Sequence, residues 1–286
     1  MSRTSPLDGR SFYPRQVPPQ RLWRSPGQPQ DPTVSNQLFR PILHTAGELS
    51  ILTGKAFIGM VSPPYRLPSW IRQMEQIGVQ SLLVAAITTT FTGMVLALQS
   101  AYSLPSLGVK FYVGTLVSKS VVRELGPVLT ALIVGGRIGA GMTAELGTMK
   151  VTEQIDALRS MASDPVKELV VPRLAATLVM LPALTIIGNL LGITGGLIVA
   201  VSQLNISAAF YLNDVFDALT LQDISSGVGK SFFFAYFIAI IGCYNGLNAR
   251  GGADGVGRAT TNTVVYASIL ILVSDFFLTK LFYTLF

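Results

Sequence analysis

Long apolar runs separated by short polar connectors organise this chain. Leu174 to Asn213 contains 40 residues without a charged side chain, and Ile77–Leu98, Ser231–Ala249 and Ala259–Ser274 are likewise free of charge. A helix crossing a bilayer needs about 20 apolar residues, because a backbone in lipid must satisfy its amides internally. The pattern predicts an all-α polytopic membrane protein with five spans. These are Ile77–Leu98, about Tyr112–Gly136, a stretch within Leu174–Val201, about Val228–Ala249 and about Thr261–Tyr283. The second carries Lys119, Arg123 and Glu124, with a kink expected at Pro127. Phe210 and Tyr211 are expected to ride along the outer surface. A glycine-rich turn (Gly251, Gly252, Gly255, Gly257) with Arg250 and Arg258 joins the last two spans.

Ahead of the first span, apolar residues recur with helical spacing from Ile42 to Met60, interrupted by Gly47 and Gly54 and stopped by Pro63, Pro64 and Pro68. Such a segment is expected to lie in the membrane interface, with Trp70 and Arg72 as a headgroup anchor. Residues 1–41 hold eight of the 16 prolines and few aliphatic side chains. They cannot bury enough surface to offset ordering entropy and are expected to form a disordered cytoplasmic tail before a membrane domain at 42–286. The Arg-rich, acid-poor start also keeps an organelle address open.

Composition agrees, with 50% hydrophobic and only 13% charged residues, against roughly 25% charged in soluble domains. The net charge of +6 does not indicate nucleic acid, since nine of the 21 Lys and Arg precede Ile77 and the rest gather in connectors. The connector 137–172 carries Arg137, Lys150, Arg159 and Lys167, whereas Gln203 to Asp223 has no Lys or Arg but three Asp. The positive-inside rule places the first in the cytoplasm and the second outside, with the amino terminus inside and the carboxyl terminus outside. Cys243 stands alone, so neither a disulfide framework nor a Cys-based metal site is expected.

Several short motifs dissolve on inspection. Gly229-Lys230-Ser231 imitates the end of a phosphate-binding loop, but the first glycine position is Ile224 and no strand precedes. Any ATPase is therefore expected on another chain. His44 has no second ligand at metal spacing, and Asn205-Ile206-Ser207 is too short a pattern to carry a claim. No cofactor is expected.

Arg123, Glu124, Lys230 and Asp275 lie inside or at the edge of the apolar runs. Each costs at least roughly 2.5 to 3.5 kcal/mol to insert, so such groups normally face a cavity or one another. Two positives and two negatives suit a polar pathway within a helix bundle, although Lys230 snorkelling outward and an Arg123–Glu124 structural pair would also satisfy the composition. A self-contained channel or secondary transporter is the alternative function for the same charges. Gly135, Gly136, Gly139, Ala140 and Gly141, with Gly188, Gly192, Gly195 and Gly196, fit either close packing within the chain or a subunit interface. Between Gly147 and Pro165 an amphipathic cytoplasmic helix is expected, with Met149, Glu153, Asp156 and Ser160 on one face and Leu146, Ile155, Leu158 and Met161 supplying apolar contacts.

Arg123-Glu124-Leu125-Gly126-Pro127, Gly136-Arg137-Ile138-Gly139-Ala140, Thr143-Ala144-Glu145-Leu146-Gly147, Thr152 through Leu158, Asp164-Pro165, Pro172-Arg173 and Arg258-Ala259-Thr260-Thr261 occur in an order and spacing that resembles the MlaE/YrbE-like permease family. These are the membrane subunits of lipid-transporting ABC systems, and the resemblance runs from about Ile42 to the end. It implies a homodimer of five spans per chain with an amino-terminal interfacial helix. The partners it implies are a separate cytoplasmic ABC ATPase, an MCE-domain lipid-binding protein outside the membrane and a small STAS-domain regulator. It further implies that about Glu145 to Leu158, including Glu145, Leu146, Met149, Glu153, Asp156 and Leu158, dock on the ATPase, and that Arg123, Glu124, Lys230 and Asp275 line the passage of membrane phospholipid. The setting implied is a bacterial inner membrane, or alternatively a plastid inner envelope.

Overall fold

The computed structural model describes residues 34–63, 67–103 and 112–285. It divides into two units, Met1–Leu43 and His44–Phe286. Of the expected tail, residues 1–33 lie outside the described residues. Helix α1 spans Val34–Val61, beginning earlier than Ile42. Gln37, Leu38 and Arg40 are good helix formers, and Pro41 forfeits a backbone bond without ending the helix. Gly47 and Gly54 do not interrupt it either, since both face open space. From His44 onward α1 docks on the bundle: Leu52 and Ala56 are buried, Thr53 Oγ1 lies 2.8 Å from Tyr236 Oη, and Tyr244 Oη donates to Glu48 Oε2 at 2.5 Å.

The described residues are almost all helical, without strands, and five helices are long and apolar enough to cross a membrane: Leu67–Tyr102, Val113–Val151, Val166–Ser202, Leu221–Leu247 and Gly252–Thr284. Each coincides with an expected span and extends past at least one of its ends. Helix α2 (Leu67–Ser103) starts at Leu67-Pro68, so this proline opens a helix where a stop was expected; a missing N–H costs nothing in a first turn. The second crossing is built from α3 (Val113–Ser120), α4 (Gly126–Val134) and α5 (Ala140–Val151), joined by π-helical turns at Val121–Leu125 and Gly135–Gly139. The polar connector expected from Arg137 therefore begins as helix.

That connector departs from expectation again beyond Gly147. This glycine does not bound a helix. It sits inside α5 where a Cβ would approach Ala249 and Val256 at 3.2 Å. The helix ends at Val151, Glu153 takes a left-handed conformation (φ 61), and α6 covers only Gln154–Ser160. The single amphipathic helix is thus two pieces meeting at a corner.

After a third π-helical turn (Val166–Val170), α7 (Val171–Ser202) runs against α2. Their backbones nearly touch: a Cβ on Gly93 would come within 1.8 Å of the Gly192 carbonyl oxygen, and one on Gly195 within 2.2 Å of that of Thr90. The glycines of α7 therefore serve packing within the chain, as small residues do where lipid supplies no hydrophobic drive between helices. Helix α8 (Ala208–Ala218) lies across the start of α3, where Asp214 accepts from the Thr115 amide at 2.7 Å and its hydroxyl at 2.5 Å. This carboxylate stabilises an amino-terminal turn whose amides have no helical partner. Tyr211, expected on the outer surface, is buried here and donates to the Ile193 carbonyl at 3.2 Å, while Phe210 stays exposed.

Helix α9 (Leu221–Leu247) occupies the middle of the bundle, and its Phe234, Ala235, Ile238 and Ile241 pack with Ala131, Leu181 and Ile271. Helix α10 (Gly252–Leu285) follows a turn made by Gly251 and Gly252 alone, both with positive φ. Gly255 and Gly257 already lie in the helix, contrary to the expected four-glycine turn. Thr143 Oγ1 meets Thr263 Oγ1 at 2.8 Å and the Gly242 carbonyl at 3.0 Å, riveting α5, α9 and α10 together.

Gly93→Ala is expected to lower the stability of the purified chain by roughly 1–3 kcal/mol, because overpacking forces two backbones apart. Gly136→Ala, a position with nothing within 4 Å, should leave it unchanged or slightly raised; thermal unfolding in detergent compares the two.

Candidate functional site

The π-helical turn at Val121–Leu125 places Arg123 and Glu124 where α9 and α10 converge on the second span. Adjacent residues on an α-helix point about 100° apart, and the widened turn sends these two to different partners. Such single π turns recur at functional positions in helices. Gly227 makes the approach possible, since a Cβ there would lie 2.1 Å from the Val122 carbonyl oxygen. Gly227, two residues ahead of the Gly229-Lys230-Ser231 imitation of a phosphate-binding loop, is thus a packing residue.

Lys230 occupies the centre. Its ammonium donates to Glu124 Oε2 at 2.5 Å and to Thr279 Oγ1 at 2.7 Å, and lies 3.0 Å from Asp275 Oδ1. Asp275 Oδ1 makes no aligned hydrogen bond, so this contact is ionic. Thr279 in turn donates to the Asp275 carbonyl at 2.8 Å. The side chain of Lys230 is 1% exposed, against 37% for Glu124 and 22% for Asp275. The cation is therefore the buried member, and the carboxylates form the accessible side. Lys230 does not snorkel.

Arg123 turns the other way. Its Nε lies 3.4 Å from Asp223 Oδ1, and its guanidinium stacks over Tyr283 with 4.6 Å to the ring centroid. Asp223 is held by a capping box at the start of α9, accepting from the Thr220 amide at 3.0 Å and hydroxyl at 2.9 Å. An Arg123–Glu124 pair does not form. All four expected residues do meet in one region, but as two neighbouring clusters in which Arg123 and Lys230 face Glu124, Asp275 and Asp223. Pairing of this kind is what lets charges persist at membrane depth.

Asp223, Thr279 and Tyr283 were absent from the sequence expectation. Their spacing held a signal: Asp223 and Lys230 are seven apart on α9, and Asp275, Thr279 and Tyr283 follow at intervals of four on α10, so each set shares a helix face.

At the far end of the second crossing the expected docking residues separate. Leu146 is fully buried with Leu174, Ala239 and Cys243, so it supports the surface from beneath and cannot contact a partner directly. Ile155 is buried as well. Glu145 pairs with Arg173 at 2.8 Å, and Asp156 with Lys150 at 2.9 Å and Arg159 at 3.2 Å. The hydrogen bond from Lys150, with the nearby positive charges of Lys150 and Arg159, outweighs desolvation and holds the Asp156 carboxyl below its ordinary value of 3.8. A depressed acid stabilises above its unfolded pKa and loses that contribution only as pH falls through the lowered value, so these pairs persist throughout the neutral range. Met149 and Leu158 are half-buried, and Glu153 is exposed at the corner between α5 and α6.

Residues 70–281 match the family described as Permease MlaE. The chain belongs to the MlaE permease family. The permease is 44% identical over 239 residues to the "Probable ABC transporter permease protein" of Rickettsia conorii, covering 84% of this chain and 92% of the relative. It is 37% identical over 238 residues to the intermembrane phospholipid transport system permease protein MlaE of Haemophilus influenzae, covering 83% and 91%. To the chloroplastic protein TRIGALACTOSYLDIACYLGLYCEROL 1 of Arabidopsis thaliana it is 34% identical over 233 residues, covering 82% and 67%.

Removing Lys230 strands two carboxylates, whereas neutralising Glu124 leaves a balanced pair. Lys230→Met should therefore cost on the order of 3 kcal/mol of stability, and Glu124→Gln distinctly less. Thermal unfolding of the two variants in the same detergent checks the order.

Proposed function

We propose that this permease is the membrane subunit of an ABC transporter that moves phospholipid between the membrane and an MCE-domain partner, driven by a separate cytoplasmic ATPase. The observation that carries this reading is the Glu124–Lys230–Asp275 cluster, a paired but partly accessible set of charges within the spans of a chain from this family. Two copies enclose an amphiphile cavity, with the second and fifth spans lining it. Broad exposed apolar faces on α2 and α10, including Val79, Leu83, Phe276 and Phe277, suit both lipid and a second copy.

Arg123 and Lys230 attract a phosphate headgroup while Glu124 and Asp275 keep them ionised and exchangeable. An arriving phosphate competes with the carboxylates for the same donors, so the headgroup is held by several modest contacts and is released when the cavity narrows. The chain performs no covalent chemistry. ATP-driven closure of the partner reaches the bundle through the α5–α6 corner, where Met149, Glu153, Asp156 and Leu158 meet the ATPase and the Glu145–Arg173 pair ties that corner to α7. A STAS-domain regulator on the cytoplasmic side completes the set. The permease sits in a bacterial inner membrane, or in a plastid inner envelope, with residues 1–41 as a polar cytoplasmic tail.

Replacing Glu124 or Asp275 by Ala should reduce ATP-dependent transfer of fluorescent phospholipid in proteoliposomes at least about tenfold, the loss of more than one charge-assisted contact, while the complex still assembles on size exclusion. Full transfer by both variants removes the site; transfer without any ATPase establishes a self-contained transporter instead. Leu158→Asp should abolish copurification of the ATPase, and copurification unchanged from wild type moves the docking surface elsewhere.

A further inference from the structure

A second polar recess lies well away from the Lys230 cluster. It is a groove of about 280 Å³ between α2 and α5, lined among others by Gln73, Gln76, Gln80, Arg137, Gly141 and Glu145. The three glutamines fall at intervals of three and four, so they form one stripe on α2 facing Arg137 and Glu145. Gln76 and Gln80 are exposed on the same side of α2 as Val79 and Leu83, so the amides interrupt an otherwise apolar exposed surface. A row of amides on an exposed face beside a cation is not required for helix packing.

Arg137 has no acidic partner among the described residues. Its guanidinium donates to Ser81 Oγ at 3.1 Å and to Gln80 Oε1 at 3.2 Å, both neutral acceptors. Glu145, the carboxylate of the groove, is already engaged by the buried Arg173 at 2.8 Å. With Glu145 paired to Arg173 behind the groove, Arg137 is its one charge without an opposite partner, with unused donors on Arg137 and on the glutamine amides. Gly141 contributes no side chain, and the space beside it is open for 4 Å.

Depth supplies the other half of the argument. Arg137 lies 24 residues beyond Val113, about 36 Å along the helix at 1.5 Å per residue, past the roughly 30 Å hydrocarbon core. Gln73 and Gln76 precede the apolar run that begins at Ile77. The groove thus sits at the headgroup level of the leaflet bearing the Lys- and Arg-rich connector, the cytoplasmic one.

We infer that this groove binds a phosphate group at Arg137, with Gln73, Gln76 and Gln80 hydrogen-bonding its oxygens. A cytoplasmic-leaflet phospholipid headgroup and free phosphate share that chemistry. The inference rests on the proposed orientation and lipid substrate but concerns a site distinct from the Lys230 cluster. It gives the permease a place to hold lipid before or after passage.

Native mass spectrometry of the assembled permease released from detergent, titrated with phosphatidylglycerol and in a parallel arm with inorganic phosphate, tests it. Wild type should retain a phosphatidylglycerol that Arg137→Gln binds roughly tenfold more weakly, the loss of a charge-assisted contact, with Arg137→Lys intermediate. Gln76→Glu keeps the Arg137 hydrogen bonds and the fold but places a carboxylate in the groove, and should expel the ligand equally. Displacement by millimolar inorganic phosphate identifies a free-anion site; resistance to it identifies a headgroup site, and both sustain the inference. Equal binding by wild type, Arg137→Gln and Gln76→Glu in both arms overturns it. Lys230→Met should keep the Arg137-dependent ligand, so failure of the central cluster and failure of this groove give different patterns.

Discussion

A lysine ammonium held out of water between two carboxylates is the constraint on which this bundle is built. At membrane depth an isolated ammonium is expensive, and Lys230 is 1% exposed. It persists because Glu124, Asp275 and Thr279 arrive from two other helices with their oxygens within hydrogen-bonding or ionic reach. Such an arrangement tolerates little displacement, so the surrounding packing must be tight. Gly227 against the Val122 carbonyl brings α9 onto the π-helical turn, and the Thr143–Thr263 contact fixes α5, α9 and α10 toward the α5–α6 end.

On the proposed lipid pathway, the same arrangement suits transient occupancy. A neutral, fully satisfied pair would offer a headgroup nothing, and a bare cation would hold it too long. Two carboxylates sharing one lysine, with the carboxylates more exposed than the cation, leave a polar face accessible. Arg123, held by Asp223 and stacked on Tyr283, adds a second cation beside it whose position is set by an aromatic ring and a helix cap. The two clusters draw on the same three helices, so any movement that parts α9 from α10 alters both together.

Charges inside apolar runs were legible in the sequence because their insertion cost has no cheap explanation; Arg123, Glu124, Lys230 and Asp275 stood out for that reason. Asp223 did not, because a segment rich in Asp and free of Lys and Arg reads as an outer loop, and its capping role hides its pairing role. Thr279 is cheap to bury by bonding to a carbonyl in its own helix, so nothing marked it. Hydropathy reports the depth of the lipid rather than the length of a helix, which is why every observed span runs past at least one of its expected ends. The α5–α6 corner was misjudged for a geometric reason. Gly147 reads as a helix boundary by composition, yet α5 runs through it because its missing side chain admits Ala249 and Val256. The left-handed Glu153 then breaks a helix that composition alone would continue.

Lipid at the central cluster is tested most directly by photocrosslinking. A photoreactive amino acid at position 279 in the assembled transporter, illuminated in membranes with and without ATP, should yield a phospholipid adduct whose amount changes with nucleotide. The same probe at Phe276, on the exposed side of α10, should capture lipid regardless of nucleotide. Adducts at 276 with none at 279 in either condition would show that no lipid reaches Lys230, and the proposed pathway would be wrong.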